Sequence, residues 1–396
     1  MSRRNSSALC GVVALIVAVL PLATARAQTT YNVVVGENYF KGGVHAMFHR
    51  YYPESLKIHQ GDTLHFTADG FHSVTLLSAG EGPKEWRLAN ASSRSDPWAF
   101  LQSDLDDGAR AVKINGAFFR STNPECGSVE APCVHDGSQL LNSGVAGGPL
   151  DYVVRVDAPP GTVLYAISLL HAEMDLRVEV VGEGDAASEP AELQQRFTQM
   201  LRRDIDSAVA LHKKFNAKDT KHRDRQTKRV FWDAWAGVDS KHVSLLGMYP
   251  KKLRVRRGQA VRWHFDTLDN ELHNVAMPFG KANEILTNTF QPACDPDGDA
   301  GAGPDNPQDL GAPPYCSVTE QTEVDLDNRE ANEVGNGVFT GSGDLETSGI
   351  RGSDNAEGRD PFDEAPYDVR FSAARKGYRY FCTVHGPIMS GRVIVR

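Results

Sequence analysis

A thiol, an imidazole and a thioether lie close together near the C-terminal end of this sequence. In the stretch Tyr378-Arg-Tyr-Phe-Cys-Thr-Val-His-Gly-Pro-Ile-Met-Ser-Gly-Arg-Val-Ile-Val-Arg396 they are Cys382, His385 and Met389. Soft sulfur donors combined with imidazole favour copper over magnesium, calcium or manganese. A complete site of this kind needs a second His, which must come from elsewhere in the chain. The flanking residues alternate, with Tyr378 and Tyr380 before the ligands and Val393 and Val395 after them. That alternation predicts strand, tight loop, strand.

The cysteine inventory isolates the same residue. The N-terminal segment 1–27 reads as an export signal: Arg3 and Arg4 precede an apolar run, Leu9 to Leu22, and Ala25-Arg26-Ala27 has the small-x-small form of a cleavage site. Of six cysteines, Cys10 belongs to that segment, which leaves five in the expected mature chain. Export favours disulfides. Cys126 with Cys133, and Cys294 with Cys316, pair naturally as loop clasps, so Cys382 is the odd one. An unpaired cysteine in an exported protein calls for a reason, and metal ligation supplies one.

Composition bounds the rest. The chain has 396 residues, 40% apolar and 23% charged, with a formal net charge of -9. This suits two globular domains. No basic excess points to nucleic acid. No second long apolar run follows the signal, so no transmembrane segment is expected in the mature chain. The expected location is periplasmic or extracellular.

The elements that must position the ligands occur twice. Tyr52-Pro-Glu-Ser-Leu-Lys-Ile-His-Gln-Gly-Asp-Thr-Leu-His-Phe66 is repeated in form by Tyr249-Pro-Lys-Lys-Leu-Arg-Val-Arg-Arg-Gly-Gln-Ala-Val-Arg-Trp263. Phe71-His72-Ser73-Val74 matches Leu272-His273-Asn274-Val275, and Tyr152 to Val156 matches Tyr367 to Phe371. A repeat of this length indicates duplication of one all-β unit. The expected organisation is 28–183 and 229–396, each a β-sandwich. Between them, 184–228 reads as a helical and basic linker. A helix should start at Ser188-Glu189-Pro190. Its stripe Leu193, Phe197, Met200, Leu201, Ile205 and Val209 should pack on one of the domains.

The duplication supplies the missing imidazole, His273. The set His273, Cys382, His385 and Met389, with Tyr-x-Tyr-x-Cys-x-x-His-Gly-Pro-x-Met-x-Gly-x-Val, resembles the cupredoxin family of the plastocyanin, pseudoazurin and amicyanin kind. The resemblance covers about 229–280 and 365–396. It implies a Greek-key β-sandwich holding one type 1 (blue) copper, with Cys382 as thiolate, His273 and His385 as nitrogen ligands and Met389 as a long axial ligand. It also implies that Asn274 ties the two ligand loops together. A one-electron carrier acting with a redox partner protein follows, not an enzyme. A surface patch from Met277, Pro278, Phe279, Pro387 and Ile388 would serve that partner. Copper storage or delivery is the alternative reading. A multicopper oxidase or nitrite reductase is set behind both, since the chain has no paired His-x-His motif and His45, His49, His65 and His135 are scattered.

The first copy departs at one position. His72 matches His273, His171 matches His385 and Met174 lies near the Met389 position, but Ser168 stands where Cys382 would. No type 1 copper can form there; a weaker metal site of His72, His171 and Met174 is the sharper option. Asp295, Asp297 and Asp299 resemble the start of a calcium loop, without the distal Glu.

Overall fold

The computed structural model describes residues 26–69, 72–91, 96–98, 101–103, 112–114, 120–145, 149–171, 174–217, 220–223, 228–265, 272–286, 291–294, 321–325, 334–341, 343–352 and 365–396. The apolar run of the expected signal, the Asp295–Asp299 loop and Cys316 lie outside them, as does the side chain of Cys294. Among the described residues, no helix is long and apolar enough to cross a membrane.

Strands dominate. Their burial alternates as the pleat requires: Thr30–Lys41 buries Tyr31, Val33 and Val35, and Asp175–Val181 buries Leu176, Val178 and Val180. In the N-terminal half, Thr30–Lys41 lies between Val44–Tyr52 and Thr63–Ala68, and Leu150–Val156 joins beyond. The opposing sheet sets Ser55–His59, Asp175–Val181 and Val163–Ile167 side by side. The C-terminal half repeats this: Val230–Ser240 lies between Val243–Tyr249 and Ala260–His264, with Tyr367–Phe371 beyond. Facing it, Lys252–Val255, Gly386–Val395, Arg375–Cys382 and Ala276–Met277 form the second layer. Each half has its own apolar core, one around Phe66, Leu64 and Tyr51, the other around Trp263, Phe371 and Tyr380.

The larger sheet does not stop between the halves. Val44–Tyr52 and Val243–Tyr249 pair antiparallel, with Val243 opposite Phe48 and Leu245 opposite Ala46. The helix Pro190–Asn216 lies over this seam. Pro190 opens it, where the missing N–H costs nothing. The stripe was expected to pack on one half, but it packs on both. Met200, Ile205 and Val209 share a cluster with Ala46, Phe48 and Tyr52 from one half and Trp235, Leu245 and Tyr249 from the other. A polar clamp sits inside this contact. The buried Asp204 carboxylate accepts from Tyr52 Oη at 2.7 Å and faces Arg50 Nε at 3.2 Å. Burial raises the Asp204 pKa, while Tyr52 and Arg50 hold it down in part.

Candidate metal centre

His273 is placed by backbone. Its N–H and C=O both pair with Arg351, at 2.7 Å each, in an isolated bridge. The next residues are fixed by a serine: Val275 N–H donates to Ser348 Oγ at 2.9 Å, and Ser348 N–H returns to the Val275 carbonyl at 3.0 Å. Cys382 ends one strand of a hairpin and Gly386 opens the next, which sets His385 in the turn and Met389 back in the core.

The ligand atoms converge. Among the described residues, His273, Cys382 and His385 form the one group of metal-capable side chains whose atoms lie within 4.8 Å of one another. The two Nδ1 atoms face each other at 3.2 Å, and Cys382 Sγ is 3.8 Å from His385 Nδ1. Met389 is fully buried in the same core cluster as Cys382. Two imidazole nitrogens at this distance can share a hydrogen bond, one ring donating and the other accepting, and the same approach suits a shared metal ion. Burial pushes the Cys382 thiol up, but the hydrogen bonds and charges of His273 and His385 outweigh it and bring it down to about 5. Asn274 N–H also donates to Cys382 Sγ at 3.3 Å. A thiolate held by imidazoles and a backbone amide is a prepared soft donor. The residues therefore fit a copper ion.

Asn274 joins the two ligand segments across 109 positions of sequence. Its Nδ2 donates to Thr383 Oγ1 at 2.7 Å and its Oδ1 accepts from Thr383 N at 2.7 Å. Thr383 as the partner was not legible in sequence, and neither was Gly237. That glycine occupies the β-bulge between Ala236 and Val238 with φ of 80°. A Cβ there would overlap the His273 ring. Glycine is thus required twice, by its left-handed backbone and by the imidazole against it.

The expected surface patch is only partly one. Met277 is fully buried, Phe279 packs beside Phe381, and Pro387 and Ile388 are exposed next to the half-buried His385. On another side, Leu272 and Val384, which precede the two ligand histidines, pack with Leu169, Leu170 and Trp86 of the N-terminal half.

In that half the expected disulfide Cys126–Cys133 is formed. His72 and His171 come together with ring centroids 5.1 Å apart, and Met174 is buried beside the core. The scattered histidines separate into different roles. His65 pairs with Asp151 at 2.6 Å on the surface, and buried His135 meets the Leu77 carbonyl at 3.2 Å. His49, however, stacks on His171 with centroids 4.0 Å apart. Its signal was present in the repeat: with Tyr52 aligned to Tyr249, His49 falls on Leu246.

No family model matches this chain, and no curated protein matches it. Solved structures similar to it include a dithionite-reduced auracyanin from Roseiflexus castenholzii, at 11% identity and TM-score 0.22, covering 40% of this chain and all of that one. Auracyanin A, a "blue" copper protein from Chloroflexus aurantiacus, has 17% identity and TM-score 0.20 and covers 42% of this chain and 99% of that one. A copper nitrite reductase from Nitrosomonas europaea has 9% identity and TM-score 0.18, covering 93% of this chain and 94% of that one. These are cupredoxin-fold proteins, in keeping with the resemblance of the ligand loop. Multicopper oxidases are also among the matches. The expectation that this chain is not an enzyme is corrected on that finding, because the structures similar to it include enzymes as well as carriers. The donors themselves carry the case for copper, since likenesses this distant carry none.

Proposed function

We propose that His273, Cys382, His385 and Met389 hold one type 1 copper, and that the protein passes single electrons through it. Bound copper supplies Cu(I)/Cu(II) exchange. The observation that carries this reading is the convergence of a buried, pKa-depressed thiol with two imidazoles on a scaffold that already holds them in place. The residues divide the work. Cys382 would offer the thiolate, and the buried thioether of Met389 would be the weak donor that tunes the potential. Asn274 locks the His273 segment to the Cys382 loop, so the donor set resists rearrangement when its charge changes. His385, half-buried beside exposed Pro387 and Ile388, is the edge at which an electron enters or leaves, and an apolar surface there suits a redox partner protein.

In this reading the chain consists of two cupredoxin-like units, 28–183 and 229–396, joined by 184–228, and is exported. Mass spectrometry of the secreted protein should find Gln28 as its first residue; retention of 1–27 would overturn the export reading.

The test of the copper reading is spectroscopic. Full-length mature protein given one equivalent of Cu(II) should develop an intense thiolate-to-copper absorption toward the red end of the visible, and should lose it on reduction with dithionite. A pale complex with no such band would rule out the site.

A further inference from the structure

The N-terminal half keeps the scaffold of the copper centre, loses its thiolate and gains an imidazole. His72 stands where His273 does, against a glycine in the same kind of bulge. Gly36 lies between Val35 and Glu37 with φ of 69°, and a Cβ on it would overlap the His72 ring. The pair His72–His171 has centroids 5.1 Å apart at 52°, and the pair His273–His385 has 4.8 Å and 49°. Ser73 Oγ accepts from Leu169 N at 3.0 Å, as Asn274 Oδ1 accepts from Thr383 N. The serine bracket recurs too: Val74 N donates to Ser143 Oγ at 2.9 Å and Ser143 N to the Val74 carbonyl at 2.9 Å.

The third imidazole is His49, on the strand Val44–Tyr52. Its ring lies 4.0 Å from that of His171, with 29° between their planes. Its Nε2 meets Ser244 Oγ of the other half at 2.9 Å, a contact that ties this imidazole to the seam. The C-terminal half has Leu246 in this place. All three imidazoles are buried, at 1%, 0% and 5% exposure for His49, His72 and His171. Met174, whose N–H donates to the His171 carbonyl at 3.2 Å, is fully buried.

We propose that His49, His72 and His171 form a second metal site for a borderline divalent ion, Cu(II) in preference to Zn(II), with Met174 as a neighbouring thioether. Nitrogen donors without a thiolate suit these ions, and Cu(II) binds such sets more tightly than Zn(II). The three imidazoles are spread wider than the Cys382 triad, so the proposed site requires the His49 ring to shift from its stack on His171. The complex is pale, because no thiolate is present to give an intense band.

This site stands apart from the type 1 reading, and the experiment separates them. Full-length Cys382→Ser/His273→Leu protein, whose C-terminal centre has lost its thiolate and one imidazole, is titrated with Cu(II) and followed by electron paramagnetic resonance. One equivalent should bind with nitrogen couplings from imidazole. His49→Leu in that background should weaken binding at least roughly tenfold, the lower limit for loss of even an outer-shell partner. His385→Leu in the same background, which removes the remaining C-terminal imidazole, should leave it unchanged. The fold control is His49→Leu with Cys382 intact, which keeps its red-end absorption if the type 1 site is real and its far-ultraviolet circular dichroism in any case. No binding at micromolar Cu(II), binding that survives His49→Leu within tenfold, or binding abolished by His385→Leu would each overturn the proposal.

Discussion

The two imidazole pairs of this chain are close to superimposable in their internal geometry, 4.8 Å and 49° against 5.1 Å and 52°, yet their third donors differ completely. In the C-terminal half the third donor is Cys382, at the end of a strand in the same hairpin as His385. In the N-terminal half that position is Ser168, whose hydroxyl instead accepts from Leu170 N at 3.2 Å. The added imidazole comes from a different layer, the strand at the seam between halves. The comparison teaches that the bulge glycine, the bridging side chain and the serine bracket make a frame for two imidazoles. On the proposed readings one further residue sets what the frame does chemically, and the two halves differ there, Cys382 in one and His49 in the other.

The largest effect should come from exchanging that residue. Cys382→Ser should abolish the intense visible band of the copper-loaded protein. Adding Ser168→Cys to it should bring part of the band back, now from the N-terminal frame. A double variant that binds copper without any such band would show that the frames are not equivalent.

Gly237→Ala and Gly36→Ala come next. Each forces a non-glycine residue into a left-handed conformation, at about 1–2 kcal/mol, and drives a methyl into an imidazole. Gly237→Ala should strip the type 1 band by displacing His273, while Gly36→Ala should spare it at a similar loss of thermal stability. Equal loss of colour in both would mean that the halves are coupled more tightly than their separate cores suggest.

Asn274→Ala removes two hydrogen bonds and leaves Thr383 N and Oγ1 buried without them, at about 1–3 kcal/mol each. Copper affinity, measured by competition with a chelator, should fall by roughly 10–100-fold. Ser73→Ala, which removes the single bond to Leu169 N, should lower stability by less and leave the band in place.

The smallest effect is in the metal-free protein. The Cys382 thiol is brought down to about 5 by His273 and His385, against about 8.5 for an ordinary cysteine. Its stabilising contribution is complete above the unfolded value and is lost as pH falls toward about 5. Thiolate absorbance in the ultraviolet should therefore persist at neutral pH and titrate near 5. His273→Leu should move that titration upward. A titration near 8.5 in the unaltered protein would show that the imidazoles do not hold the thiolate.

Much of this was legible along the chain because it is local. The order Cys382, His385, Met389, the alternation of the strands around them, and the repeat of Tyr52–Phe66 in Tyr249–Trp263 are properties of neighbouring residues, and side-chain chemistry and the period of a strand are read directly from such runs. The Cys126–Cys133 clasp is local in the same way, at a separation of seven. The helix stripe was visible too, but not its target. An apolar face states that it must be covered and is silent about which surface covers it, and here the cover is a seam of two strands far apart in sequence.

The sequence by itself determined which donors exist, their order and the twofold repetition of their frame. Tertiary structure decided what converges: His273 with a thiol more than a hundred residues away, Asn274 with Thr383, and His49 with His171 rather than with the other scattered histidines. The physical reason is that a donor set is defined by distances across sheets. Those distances are set by strand order, bulges and the pairing of Val44–Tyr52 with Val243–Tyr249, each a choice among many partners of equal local propensity.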